Sequence, residues 1–175
     1  MLASIEPLLA TPFPPSLGPD RRSGVLDQNA LNEKLDAALR ATKLSRENQQ
    51  LVRALLLLWH DHLDTAHTIA QDIHNPDGSF VHGIMHRREP DYSNAGYWFR
   101  RVGQHGSFPE LAKRVAEVLE SKKNRTMQSK LLPGGSWDPF GFISACEHSK
   151  TDTERALLED IQAIETRVLL DQFSQ

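Results

Sequence analysis

The sequence predicts an all-α fold, a single-domain irregular helical bundle of five to seven helices with a proline-rich extended N-terminal arm. Two observations carry this. Apolar residues recur at three- and four-residue spacing, as at Leu31, Leu35, Ala38 and Leu39 or at Leu157, Ile161, Ile164 and Val168, which is the period of a helix with one buried face. Side chains that cap helix starts precede these runs at Ser45, Asp91 and Thr151. We find no alternating run that would make a strand, no internal repeat and no linker between two domains. The expected organisation is an arm over 1–24 and one domain over 25–175.

The arm holds five of the ten prolines, Pro7, Pro12, Pro14, Pro15 and Pro19, and no regular period. Its apolar residues Ile5, Leu8, Leu9, Phe13 and Leu17 predict that it packs on its own domain or on a neighbouring subunit, so a homo-oligomer held through the arm is one expectation. Asp27 is placed to cap a first helix ending near Lys43. Ser45 with Glu47 opens a second, expected to run unbroken to the turn signal Asn75-Pro76-Asp77-Gly78 and to be the central helix. The state of 79–89 stays open between a short helix containing Gly83 and an irregular segment, ended by Pro90.

Asp91 then caps a helix through Tyr97, Trp98 and Phe99, closed by Gly103. Ser107-Phe108-Pro109-Glu110 reads as a capping box opening a helix with Leu111, Val115, Val118 and Leu119 inward. The basic stretch 122–132 has no clear period, and Pro133-Gly134-Gly135 reads as a loop. A short helix should follow Asp138-Pro139, and a capping box at Thr151 and Glu154 opens the last one.

Composition narrows the function classes. A net charge of −3 without a clustered basic face argues against nucleic acid. The longest apolar run, 54–59, is far short of a membrane span. The single Cys146 cannot form an internal disulfide, and the first residues lack the basic start of a signal peptide, so a cytoplasmic protein is expected.

Segment 59–101 concentrates the chemistry, with six of the eight histidines. On one long helix, His60, Asp64, His67, Gln71 and His74 would form a stripe beside the apolar face. His60, Asp64 and His67 are candidate catalytic residues. Together with His82 and His86 they are candidate ligands for zinc, iron or manganese, which accept imidazole and carboxylate. The same residues could instead form a structural polar network, with Asp64 and Gln71 satisfying the imidazoles. Arg87, Arg88 and Arg101 are candidates for orienting a small anionic molecule, with Glu89, Asp91, Tyr97 and Trp98 completing the expected substrate site. Arg87 or Arg88 could equally pair with acids inside the fold.

The wording WHDHLDTAHTIAQDI followed by HGIMHRREPDYSNAGYWFRR resembles a signature of a bacterial and fungal protein family with no established activity, over about 50–112. That resemblance implies that the segment belongs together and implies no chemistry. His60-Asp61 is similar to the dyad of metal-dependent phosphohydrolases, which are also all-α, but the upstream histidine of that pattern is missing here. His82 with His86 resembles the HxxxH of DinB-like helical-bundle metalloproteins.

The expected function is a histidine-, acid- and arginine-rich small-molecule site, metal-dependent if it is an enzyme. The alternative is a non-enzymatic binding protein built on the same residues as a rigid network.

Overall fold

The structure, a computed structural model, describes residues 3–40 and 42–175. All regular structure among the described residues is helical, in nine α-helices rather than five to seven. They are α1 (Gln28–Arg40), α2 (Arg46–Trp59), α3 (Leu63–Ala70), α4 (Pro76–Arg88), α5 (Tyr92–Val102), α6 (Phe108–Ser121), α7 (Arg125–Leu131), α8 (Pro139–Glu147) and α9 (Asp152–Phe173). Short 3-10 turns lie at Glu6–Leu9 and Pro133–Gly135. No helix among the described residues is long and apolar enough to cross a membrane.

Capping chemistry sets many of the boundaries. Asp27, Ser45, Asn75, Asp91, Asn124, Asp138 and Thr151 each accept a hydrogen bond from a backbone N–H in the first turn that follows, which satisfies donors the helix itself leaves free. At Thr151 the box is complete, since Glu154 accepts in return from the Thr151 backbone. Ser107 departs from expectation. Its hydroxyl pairs with His105 Nδ1 at 2.7 Å and caps nothing.

The largest departure is the long helix expected from Ser45 to Asn75. It breaks after Trp59 and restarts at Leu63. Asp61 takes a left-handed φ of 65° there, a conformation that aspartate tolerates better than most residues. Long-range partners hold the break. Asp61 accepts from the Arg22 backbone at 3.0 Å, from Arg22 Nε at 2.8 Å and from Arg88 Nη2 at 2.7 Å. Burial opposes its ionisation, and the Arg22 and Arg88 hydrogen bonds outweigh burial, so the carboxyl sits below its ordinary range.

The central element is α4, whose residues from Gly78 to Arg88 are all buried. It packs against α2, α3 and α5. Gly83 permits the close approach to α5, since a Cβ there would stand 2.6 Å from the ring of Phe99. The helicity of 79–89 is thereby settled, and His82 and His86 share a face one turn apart.

The proline-rich start is stitched to the same body. Ile5, Leu8, Leu9 and Leu17 belong to the common hydrophobic core, while Phe13 is exposed. Gln162 on α9 donates to the carbonyls of Pro15 and Ser16, each at 3.0 Å, and Arg88 donates to that of Gly18 at 3.2 Å. The described part of this stretch thus packs on its own chain.

Candidate metal centre

The break at Asp61 disperses the expected histidine stripe. His60 becomes the C-cap of α2 and is buried. Its Nε2 donates to Leu8 O at 2.8 Å, and its Nδ1 accepts from Leu26 N at 3.1 Å. Both nitrogens are satisfied in the neutral form, in keeping with the downward push of burial on its pKa. His60 therefore pins the N-terminal stretch to α2. Asp64, Gln71 and His74 face solvent, so neither His60 nor Asp64 joins the cluster that the structure assembles.

That cluster is His67 on α3 with His82 and His86 on α4. One ring nitrogen from each lies within 4.8 Å of the other two. His67 meets the others edge-on, with centroids 4.6 Å from His82 and 5.4 Å from His86. His82 and His86 stack at 5.1 Å, one helical turn apart. Trp98 of α5 lies flat on His82 at 3.8 Å, and the His82 side is closed to solvent. His67 is half-buried and forms the more open side.

The electrostatics favour the neutral, ligand-competent form of His82 and His86. Burial, reinforced by His67 and His86, drives the pKa of His82 down to about 3, so its lone pair is free at neutral pH. Burial also lowers that of His86, against the opposing pull of Glu89. His82 Nδ1 is buried with no hydrogen-bond partner, and the ring of His67 makes no hydrogen bond among the described residues. An orphaned buried nitrogen costs about 1–3 kcal/mol. Of the three rings, His82 is the one that holds a buried nitrogen with no partner among the described residues.

Both arginines of the pair are spent inside the fold. Arg87 forks onto Glu165 and reaches Gln162, with its guanidinium 4.2 Å from the centre of the Phe142 ring. Arg88 binds Asp61 and the carbonyls of Leu58 and Gly18. Each is 1% exposed, which closes it to an anion from solvent, although the Nε of each has no partner among the described residues. Asp91 caps α5, and Glu89 sits at the C-cap of α4 against His86.

Arg101 differs from that pair. It is exposed, and its guanidinium stands 5.5 Å from the Trp98 ring and 5.9 Å from that of Tyr97. Two residues outside the expected site matter here. Asp61 fixes where α3 begins, and Asn94 touches His86. Asn94 could have been found only by its position on α5, eight residues beyond His86.

Cys146 is inert packing, because burial pushes its thiol up to about 12. A cavity of about 770 Å³ between α6 and the 133–140 segment includes Phe108, Trp137 and Phe140 in its walls and none of the trio. No family model, no curated protein and no solved structure matches the chain.

Proposed function

We propose that His67, His82 and His86 hold one divalent first-row transition ion, zinc, iron or manganese, and that the chain uses it on a small anionic molecule. The observation that carries this reading is the triangle of imidazole nitrogens, all within 4.8 Å, with one nitrogen of His82 buried and unpartnered. Nitrogens on a tetrahedral ion at about 2.0–2.1 Å stand about 3.4 Å apart. Closing from 4.8 Å therefore asks for a shift of about 1.4 Å at most, within reach of small ring rotations on fixed backbones.

Three protein ligands leave coordination positions open, the arrangement of catalytic rather than structural zinc. An ion held there would supply Lewis-acid polarisation, chemistry suited to hydrolysis. Arg101, exposed, near the Trp98 ring and without an ion pair among the described residues, would orient the anion. The resemblance over 50–112 agrees in keeping these residues together. The setting we propose is cytoplasmic, in keeping with a single, buried, unreactive cysteine.

The rival is a structural network in a binding protein, which requires every buried imidazole nitrogen to be paired. His60 meets that requirement, and both nitrogens of His86 have neighbours. His82 does not meet it.

The test is turnover by chelator-stripped protein reloaded with zinc, iron or manganese, using p-nitrophenyl phosphate against uncharged p-nitrophenyl acetate. We expect metal-dependent hydrolysis that is lost in His67→Ala. Arg101→Gln should raise KM for the phosphate about tenfold, for one charge-assisted contact of about 1.4 kcal/mol. Equal rates with and without metal would overturn the reading.

A further inference from the structure

The cavity between α6 and the 133–140 segment lies apart from the histidine trio and has a chemistry of its own. Its volume of about 770 Å³ falls in the range of sites that enclose a small molecule. Phe108, Trp137 and Phe140 stand in its walls, and Phe140 keeps 44% of its surface exposed there.

Trp137 supplies a second, independent observation. It is 5% exposed, and its ring packs edge-on against Phe142 with centroids 5.2 Å apart. Its Nε1 is buried with no hydrogen-bond partner. A buried indole N–H ordinarily finds an acceptor, and one left without is destabilising. His105, in the same wall, shows the contrast. Its Nε2 pairs with Asp77 at 2.8 Å and its Nδ1 with Ser107 at 2.7 Å, so its polar atoms are spent inside the fold and that of Trp137 is not.

Two wall residues carry full charge. Asp138 accepts from the Phe140 backbone N–H at 2.9 Å and is committed to capping α8. Lys113 is exposed and makes no ion pair among the described residues. An orphaned donor and an uncommitted cation, set among aromatic side chains, select one kind of occupant.

We infer that this cavity binds a flat aromatic molecule carrying one anionic group, of the carboxylate or sulfonate kind. Trp137 Nε1–H donates to that group, Lys113 counters its charge, and Phe108 and Phe140 flank the ring. The inference is independent of the ion site proposed above.

The experiment titrates the full chain with two fluorescent probes built on the same rings, anilinonaphthalene sulfonate and phenylnaphthylamine, which lacks the sulfonate. The native chain should bind a single equivalent of each, the sulfonate more tightly. Trp137→Phe keeps an aromatic wall and deletes the N–H, and it should weaken the sulfonate about tenfold while leaving the neutral probe unchanged. Lys113→Gln should weaken the sulfonate about two- to fivefold. Ala116→Trp, which fills the cavity from α6, should exclude both probes, with melting temperatures confirming that each variant is folded. A native chain that binds no sulfonate probe overturns the inference. Equal weakening of both probes by Trp137→Phe overturns it too, because the indole then acts through packing alone. Sulfonate binding that survives Ala116→Trp places the probe elsewhere and overturns it as well.

Discussion

Replacing Asp61 should unfold this protein more readily than replacing any exposed acid, and the structure sets the size. The carboxylate accepts three hydrogen bonds from Arg22 and Arg88, and the Arg88 side chain is 1% exposed. Breaking a buried pair from one side costs about 3–5 kcal/mol because the other charge stays behind. Arg88 keeps the carbonyls of Leu58 and Gly18, and Arg22 retains some access to water, which places the loss near the lower end, about 3 kcal/mol. Alanine at φ 65° adds about 1 kcal/mol of backbone strain that glycine avoids.

The expected order of stability is therefore native, Asp61→Gly, then Asp61→Ala, with the last about 4 kcal/mol below the first. Urea unfolding followed by far-ultraviolet circular dichroism measures it. With a slope of about 2 kcal/mol/M the Asp61→Ala midpoint falls by about 2 M. Asp64→Ala, three residues away and exposed, should stay within about 0.5 kcal/mol of native and leave metal uptake unchanged. A loss under about 1 kcal/mol for Asp61→Ala, or glycine less stable than alanine, would refute the reasoning.

Two further outcomes are expected. The metal-free protein should lose stability as pH falls from about 6.5. Between that value and about 3 the unfolded chain binds a proton at His82 that the folded chain refuses, so stability drops by up to about 1.4 kcal/mol per pH unit from this group. The lowered pKa values of His60 and His86 act in the same direction. Urea midpoints in chelator across pH 7.5 to 4.5 read the slope, and His82→Gln should flatten it. Gly83→Ala puts a methyl 2.6 Å from the buried ring of Phe99. Overpacking of about 1–3 kcal/mol should exceed the gain of about 1 kcal/mol in helix propensity and lower the melting temperature.

Local chemistry was readable in the sequence where it acts within a few residues. The caps at Ser45, Asp91, Asp138 and Thr151, the glycine stop at Gly103 and the helical class all follow from short-range rules. The break at Asp61 was not readable, because the apolar period runs through it with no proline or glycine. Its cause is the pairing with Arg22 and Arg88, 39 and 27 residues away. The polar triple His60-Asp61-His62 inside an apolar run was the one available hint.

That break decides the site. With an unbroken helix, His60 and Asp64 would accompany His67. With it, His60 turns to Leu8 and Leu26, and His67 instead meets the pair on α4. The HxxxH spacing of His82 and His86 was legible, whereas its helicity depended on Asn75 capping α4 and on Phe99 fitting over Gly83.

The central claim is the ion held by His67, His82 and His86. Elemental analysis of the protein without a histidine tag, purified without chelator and then incubated with zinc, iron or manganese, tests it most directly, with His67→Ala as the comparison. The account predicts about one equivalent of metal in the native chain and its loss in a variant that keeps its native melting temperature. Absence of stoichiometric metal in the native chain, or the same content in His67→Ala, would contradict it.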